Sequence, residues 1–549
     1  MSNDYFRPRG DITTVLDLAD RDAQDNTYFP INTNGSWFHS GMTQSSHTLS
    51  GRTSASSHTL TPQSGTGSSP NETSDSEIPP HTQTVYPTTL SIQEFPQRGP
   101  AEWGQKFTFE IGSLPAGDLL QSVVLQIKLG SWYDNSVISR LTNATITTDP
   151  SSTSYWTYMN GLGASIIEYA DFIANDQTIE RITGEFITTH LALDWDQNAQ
   201  FGVAADGIGL IPHSYLAPSV VQQTAFRPSR PYPTEDGTIF CVLPFFFLRT
   251  KLKEVFPLLS CNEGKVRVDI KFRPFDQVVR RSIGYRATCT DTPLSKTVSF
   301  LATTNPVTNV TINTLTQPPA FRDVRLVTAS ALITGSLRDK FLRQPFEQMV
   351  KLVQNFSFEE PLKYLVSKAN AHTDTVDIQL PLELNHPVTE IRWMLRRKAV
   401  LINNEWSNFA PSIGLESTPD TVYPPWIQTA TIRINGSEVI SAEGDWFRHH
   451  IASKHSGGIA AYQSHLYGFS FSERPESHQP SGTANMSRAT SVTLTLRVNQ
   501  PMAKDLTTLS NPSCAFDPVT VGGWEVFVYA IHYNWLRFEN GICNRMFTD

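Results

Sequence analysis

The sequence is poor in charge, in cysteine, in long apolar runs and in helical periodicity. Charged residues make up 17% of the 549, with a formal net charge of -9. It therefore lacks the basic surplus needed to neutralise phosphates, and direct nucleic-acid binding is excluded as its main task. The five cysteines, Cys241, Cys261, Cys289, Cys514 and Cys543, are scattered and never spaced Cys-x-x-Cys. Neither a disulfide framework nor a zinc site is signalled, and a reducing compartment is expected. The most apolar run, Thr238 to Leu248, falls far short of the about 20 residues of a membrane-spanning helix. The start, MSNDYFRPRGD, has no apolar signal core, so a soluble, non-secreted protein is expected. Gly-x-Ser-x-Gly, P-loop and dinucleotide fingerprints are absent, which removes the commonest hydrolase and nucleotide-dependent classes.

What the chain does have is period-two alternation. Phe107, Phe109 and Ile111 alternate with polar residues, and Val123, Leu125, Ile127 and Leu129 follow after a turn-like GSLPAGD. In KVRVDIKFR, Val266, Val268, Ile270 and Phe272 form one face and Lys265, Arg267, Asp269, Lys271 and Arg273 the other, which predicts a strand dry on one side and wet on the other. Val376 to Leu384 and Val492 to Val498 repeat the pattern, and Asn435-Gly436 between two short strands signals a hairpin. The last strand, WEVFVYAIHYNWLRF, is apolar on both faces and should lie between a sheet and something else, such as a partner subunit.

Length predicts two or three domains. Residues 33–86 are dominated by Ser and Thr and cannot build a core. The one clear helical pattern is SLRDKFLRQP, with Ser336 as N-cap, Asp339 as capping partner, Leu337 and Phe341 on one face and Pro345 as the stop. The expected organisation is a low-complexity N-terminal arm at 1–86, a first β domain at 87–335, a helical connector at 336–345 and a second β domain at 346–549. Many half-buried antiparallel strands favour an all-β chain of two sandwiches, with jelly rolls the leading option.

Candidate chemistry is sparse. His449, His450 and His455 could offer metal ligands, but at most two converge easily and no Cys or carboxylate stands at ligand spacing, so a polar loop is expected there. Asp194 and Asp196 in LDWDQ fall on one face of a strand at roughly 7 Å, a separation glycosidase carboxylates can have; without a sugar-binding aromatic set they read as a solvated edge. The basic run Arg392, Arg396, Arg397 and Lys398 could meet an acidic partner, though a strand end at the solvent rim is the usual reading. Asn-x-Ser/Thr sequons recur, but in so Ser/Thr-rich a chain they carry little information. No catalytic, cofactor-binding or metal residue is assigned.

The most distinctive stretch is YGFSFSERPESHQPSGTANMSRATSVTLTL. Glu473, Arg474, Glu476 and His478 crowd one loop, Pro475 and Pro480 limit its freedom, Gly482 allows a tight turn, and Asn485, Ser487 and Arg488 stand ready to bond backbone groups where the strand begins. This stretch resembles the strand, Pro-Glu, Gln-Pro-Ser-Gly, Asn-x-Ser-Arg, strand signature of the major capsid proteins of nucleocytoplasmic large DNA viruses. IIEYADFIANDQTIERITGEFI, LPFFFLRTKLKEVFPLLSCNEGKVRVDIKFR, SLRDKFLRQPFEQMVKLVQNF, LELNHPVTEIRWMLR and VYAIHYNWLRFENG resemble further blocks of that family in collinear order from about 90 to 549.

The resemblance implies a double jelly roll, to which this chain adds a long extended N-terminal arm. Three copies would form a pseudo-hexameric capsomer tiling a large icosahedral shell, and the chain would be no enzyme. The implied partners are the chain itself in homotrimers and neighbouring capsomers, minor capsid and penton proteins, and an inner viral membrane only indirectly. The implied place is the virion, assembled in the host cytoplasm; the Ser/Thr-rich arm, from its composition, is expected to be threaded along neighbouring capsomers or minor capsid proteins at the shell's inner side. The alternatives are a minor capsid paralogue or external scaffold of the same fold, or a carbohydrate-binding β-sandwich. On this reading the signature loop is an architectural joint, and Arg488→Ala should damage folding or trimer yield.

Overall fold

A computed structural model describes residues 88–97, 101–112, 116–130, 154–158, 161–195, 237–248, 255–283, 286–287, 304–305, 310–311, 320–333, 335–360, 375–397, 406–407, 409, 427–457, 465–477, 480–499 and 524–547. The arm at 1–86, Asp196, Lys398, His478, Cys289 and Cys514 lie outside the described residues, as does the side chain of Arg397. Among the described residues no helix is long and apolar enough to cross a membrane.

The first sandwich contains β1 (Thr88–Pro96), β2 (Lys106–Ile111), β3 (Leu119–Leu129), β4 (Ile167–Ala174), β5 (Gln177–Thr183), helix α1 (Gly184–Asp194), β6 (Gly237–Val242), β7 (Val266–Phe272) and β8 (Phe321–Ile333). Its two antiparallel sheets run in the orders β1-β8-β3-β6 and β2-β7-β4-β5. Helix α2 (Gly335–Arg343) follows. The second sandwich contains β9 (Phe346–Glu360), β10 (Thr375–Leu382), β11 (Pro387–Arg397), β12 (Ile427–Ile434), β13 (Ser437–Glu443), helix α3 (Gly444–Lys454), β14 (Tyr467–Ser470), β15 (Val492–Asn499), β16 (Trp524–Glu539) and β17 (Ile542–Arg545). Its sheets run β9-β16-β11-β14, with β17 added on β16, and β10-β15-β12-β13. The chain is therefore nearly all-β, a double jelly roll, in four principal antiparallel sheets.

The alternating segments behave as their period requires. Val376, Ile378, Leu380 and Leu382 pair in register with Val498, Leu496, Leu494 and Val492, and all eight are buried in the second core. Asn435 and Gly436 adopt φ of 53° and 79°, the doubly positive turn that joins a tight hairpin. Phe341 of α2 packs on Leu119, Val255, Ala331 and Ile333, so the connector is anchored to the first sandwich through its apolar side.

Two helices appear at matching places, the first beginning in the stretch IIEYADFIANDQTIERITGEFI, whose resemblance implies a hairpin and helix, the second not anticipated. Each sandwich carries a hairpin followed at once by a helix, and every boundary of the second copy is displaced by 260 residues, Ile167 to Ile427 and Gly184 to Gly444. Both helices begin at a glycine because the turn presses against the first strand of the hairpin. A Cβ on Gly184 would lie 2.5 Å from the Ile167 carbonyl oxygen, and one on Gly444 would lie 2.0 Å from that of Ile427. Residues 449 to 454, expected as a polar loop, are thus helical. Asp194, expected on a strand edge, is the last residue of α1.

The final strand explains how the sandwiches join. Trp524, Val526, Val528 and Ala530 of β16 enter the second core, whereas Tyr529, Ile531, Leu536 and Phe538 belong to the first. The cover predicted for its second face is the other half of the same chain. Each large side chain so buried contributes about 1.5–3 kcal/mol.

Candidate functional site at the seam between the sandwiches

The seam is built by α1 of the first sandwich lying across β11 and β16 of the second. Along β11 the pleat sends Ile391, Trp393 and Leu395 into the second core and Glu390, Arg392 and Arg396 to the other face. That charged face is not wet: Glu390, Arg392 and Arg396 are all buried. Arg392 and Arg396 of the basic run therefore meet acidic groups, but inside the molecule and not at a solvent rim. Two ion clusters result, one at each end of α1.

At the N-terminal end, Glu185 Oε1 accepts from Arg273 at 3.0 Å and from Arg396 at 3.0 Å. Arg396 also donates to Glu525 at 2.8 Å and to the Trp406 carbonyl at 2.8 Å. The Trp406 ring lies near both guanidiniums, 3.8 Å from that of Arg273 and 4.9 Å from that of Arg396. Burial works to raise the Glu185 carboxyl, but the two guanidiniums prevail and hold it below its usual range. Phe186 packs on Tyr529 at 5.2 Å, and the Tyr529 hydroxyl bonds the Thr183 hydroxyl at 3.1 Å. Nearby, Glu180 accepts from the amides of Phe246 at 2.8 Å and Val353 at 3.1 Å, bridging both sandwiches.

At the C-terminal end, His455 stands between two carboxylates. Its Nδ1 is 3.0 Å from Asp194 and its Nε2 2.9 Å from Glu390. An imidazole with an acceptor on each nitrogen is doubly protonated, which makes it a cation here. Desolvation opposes that charge, yet Glu390 and Asp194 lift His455 well above its ordinary value. Conversely, burial would raise Glu390, but Arg392 and His455 depress it to about 2, and Asp194 is held well below its usual range chiefly by Arg392 and His190. Asp194, His455 and Glu476 bring one ligand atom each to within 4.8 Å of one another, the spacing of a small cation site. Those atoms are already engaged: the Glu476 oxygen accepts from the Ser456 amide at 2.7 Å and its hydroxyl at 3.0 Å. The imidazolium and Arg392 offset most of the negative charge of the three carboxylates.

The three histidines of the sequence reading do not converge. His449 is exposed, and His450 accepts from the Ser470 amide at 3.3 Å and stacks on Trp446 at 4.8 Å. Only His455 joins the seam, and its partners come from segments remote in sequence, which no spacing argument could have found. The signature loop is the joint expected. Lys351, itself buried, donates to the Pro475 carbonyl at 2.7 Å and to that of Ser477. The Ser487 hydroxyl accepts from the His386 amide at 2.8 Å, and Asn485 caps the turn by accepting from Ser487 at 3.2 Å. Arg488, in contrast, is exposed and makes no hydrogen bond or ion pair among the described residues, because its turn points outward while Met486 fills the core. Among the described residues the seam is fastened by buried ion pairs and hydrogen bonds between the two sandwiches.

Residues 83–313 match the family model described as major capsid protein N-terminus, and residues 338–544 match that described as large eukaryotic DNA virus major capsid protein. The chain is 37% identical over 126 residues to the major capsid protein of Chrysochromulina ericina virus and 31% identical over 120 residues to that of Phaeocystis pouchetii virus. These alignments cover 21% of this chain in each case, but 17% and 19% of the relatives' lengths. The fold is similar to PBCV-1 VP54, with TM-score 0.57 at 16% identity over 84% of this chain and 98% of that one. It is also similar to the Faustovirus major capsid protein, with TM-score 0.58 at 12% identity over 92% and 100%. With both halves matched in order, the chain belongs to the major capsid proteins of large eukaryotic DNA viruses, structural proteins of the virion capsid.

Proposed function

We propose that three copies of this chain form a pseudo-hexameric capsomer that tiles a large icosahedral shell. Each copy contributes two sandwiches, residues 87–335 and 346–549, joined through the connector at 336–345. The observation that supports this reading is the repeated hairpin and helix at a constant displacement of 260 residues, fastened by a seam buried enough to make the pair one block. Three such blocks present six similar sandwiches, and a closed ring of identical chains buries complementary faces without leaving an open edge. Minor capsid and penton proteins are the further partners, the inner membrane is met only through them, assembly takes place in the host cytoplasm, and the chain has no catalytic task. Native mass measurement and negative-stain imaging test this. Trimers of hexagonal outline are expected; monomers or dimers at working concentration would overturn it.

A further inference from the structure

Cys261 and Cys543 stand far apart in sequence and side by side in the fold. Cys261 closes the short turn Leu258–Cys261 of the first sandwich, and Cys543 lies in β17 at the end of the second. Their backbones are clamped: the amides of Glu263 and Gly264 both donate to the Gly541 carbonyl at 3.1 Å. Phe256, just before the turn, packs at 5.6 Å on Phe538, the residue that pairs with Cys543 across β16 and β17. Both cysteines are free thiols buried in the first core, within three residues of that clamp on either side.

We propose that Cys261 and Cys543 form a latent dithiol site whose oxidation staples the first sandwich to the C-terminal strand of the second. The oxidant is a low-molecular-weight disulfide such as oxidised glutathione. One protein thiolate attacks it, forming a mixed disulfide and releasing one glutathione thiolate. The second protein thiolate then attacks the mixed disulfide, forming the Cys261–Cys543 bond and releasing the second. Two electrons pass to glutathione, and the two thiol protons end on its two released sulfurs.

The site is slow by construction. The neighbouring Cys543 thiol, and then burial, hold Cys261 well above the ordinary thiol range, so little thiolate exists at neutral pH. Reaction waits on opening of β17, a four-residue strand paired, among the described residues, to β16 alone. Once closed, the bond is sealed in the core away from reductants. Such a latch stays open in a reducing compartment and closes after exposure to an oxidising one.

The test uses the purified full-length protein in glutathione buffers of increasing oxidised fraction, quenched by alkylation under denaturing conditions and mapped as non-reduced peptides. A peptide linking Cys261 to Cys543 is expected within minutes to hours, with a higher melting temperature that dithiothreitol reverses only when denaturant is added. Cys543→Ser should lack both effects; if it folds poorly, Cys261→Ala or the wild-type map alone decides. Cysteines 261 and 543 recovered as separately alkylated thiols under the most oxidising buffer, or linked only to other cysteines, would overturn the proposal.

Discussion

His455→Gln removes the imidazolium that ties Asp194 to Glu390 across the seam, at 3.0 Å and 2.9 Å. Breaking a buried ion pair by deleting one partner costs about 3–5 kcal/mol. The depressed carboxyl gives a second route to the magnitude: a fall from 4.5 to about 2 at Glu390 corresponds to roughly 3 kcal/mol, shared between His455 and Arg392. A loss of about 3 kcal/mol is therefore expected at neutral pH, and it should depend on pH in two limbs. Glu390 is depressed, so its contribution is present above 4.5 and is lost as pH falls through about 2. His455 is raised, so its contribution is present below 6.5 and is lost as pH rises through its elevated value. The wild-type advantage over His455→Gln must shrink on both sides of a mildly acidic plateau between 4.5 and 6.5. Urea midpoints of the purified subunit, followed by tryptophan fluorescence from about pH 3 to about pH 10, measure it. A penalty below about 1 kcal/mol, or one that does not change with pH, would refute the ion-pair account and leave the ring as mere filling.

The other fastening points carry their own expectations. Arg396→Ala strips Glu185 and Glu525 of a shared partner and should cost about 3–5 kcal/mol, with a smaller added loss in the Glu185→Gln background; equal losses in both backgrounds would show no coupling. Gly444→Ala would ordinarily gain up to about 1 kcal/mol in a helix, but the clash with the Ile427 carbonyl should reverse the sign, as a lowered melting temperature would record. Ser487→Ala removes the acceptor for the His386 amide and should cost about 1 kcal/mol. Arg488→Ala, at an exposed position, should change subunit stability by no more than about 0.5 kcal/mol. Trimer loss without subunit destabilisation would then assign Arg488 to an intersubunit contact.

Much of the sandwich architecture was legible because a strand with one wet face writes its period into the sequence. Val376 to Leu382 and Val492 to Val498 pair just as their alternation implies. The two helices were harder to see. In α3, Phe447, Ile451 and Ala452 are buried while Trp446 and His449 are exposed, a thin apolar stripe beneath a polar exterior. α1 is buried almost all round and shows no stripe at all. The shared signal was the glycine that follows each hairpin, visible only once the two stretches are set side by side.

The seam stayed hidden for a different reason. The sequence by itself determined that Glu390, Arg392 and Arg396 share one face of a strand and that Trp393 and Leu395 share the other, because side-chain alternation is a property of the backbone alone. It also determined that β16 needed cover on both sides. Whether a charged face is solvated or matched depends on what another part of the chain presents to it, and Asp194, Glu185 and His455 reach it from segments remote in sequence. Only the tertiary structure decided that, since the gain from pairing buried charges falls off steeply with distance and exists only when the folded chain brings the partners into contact.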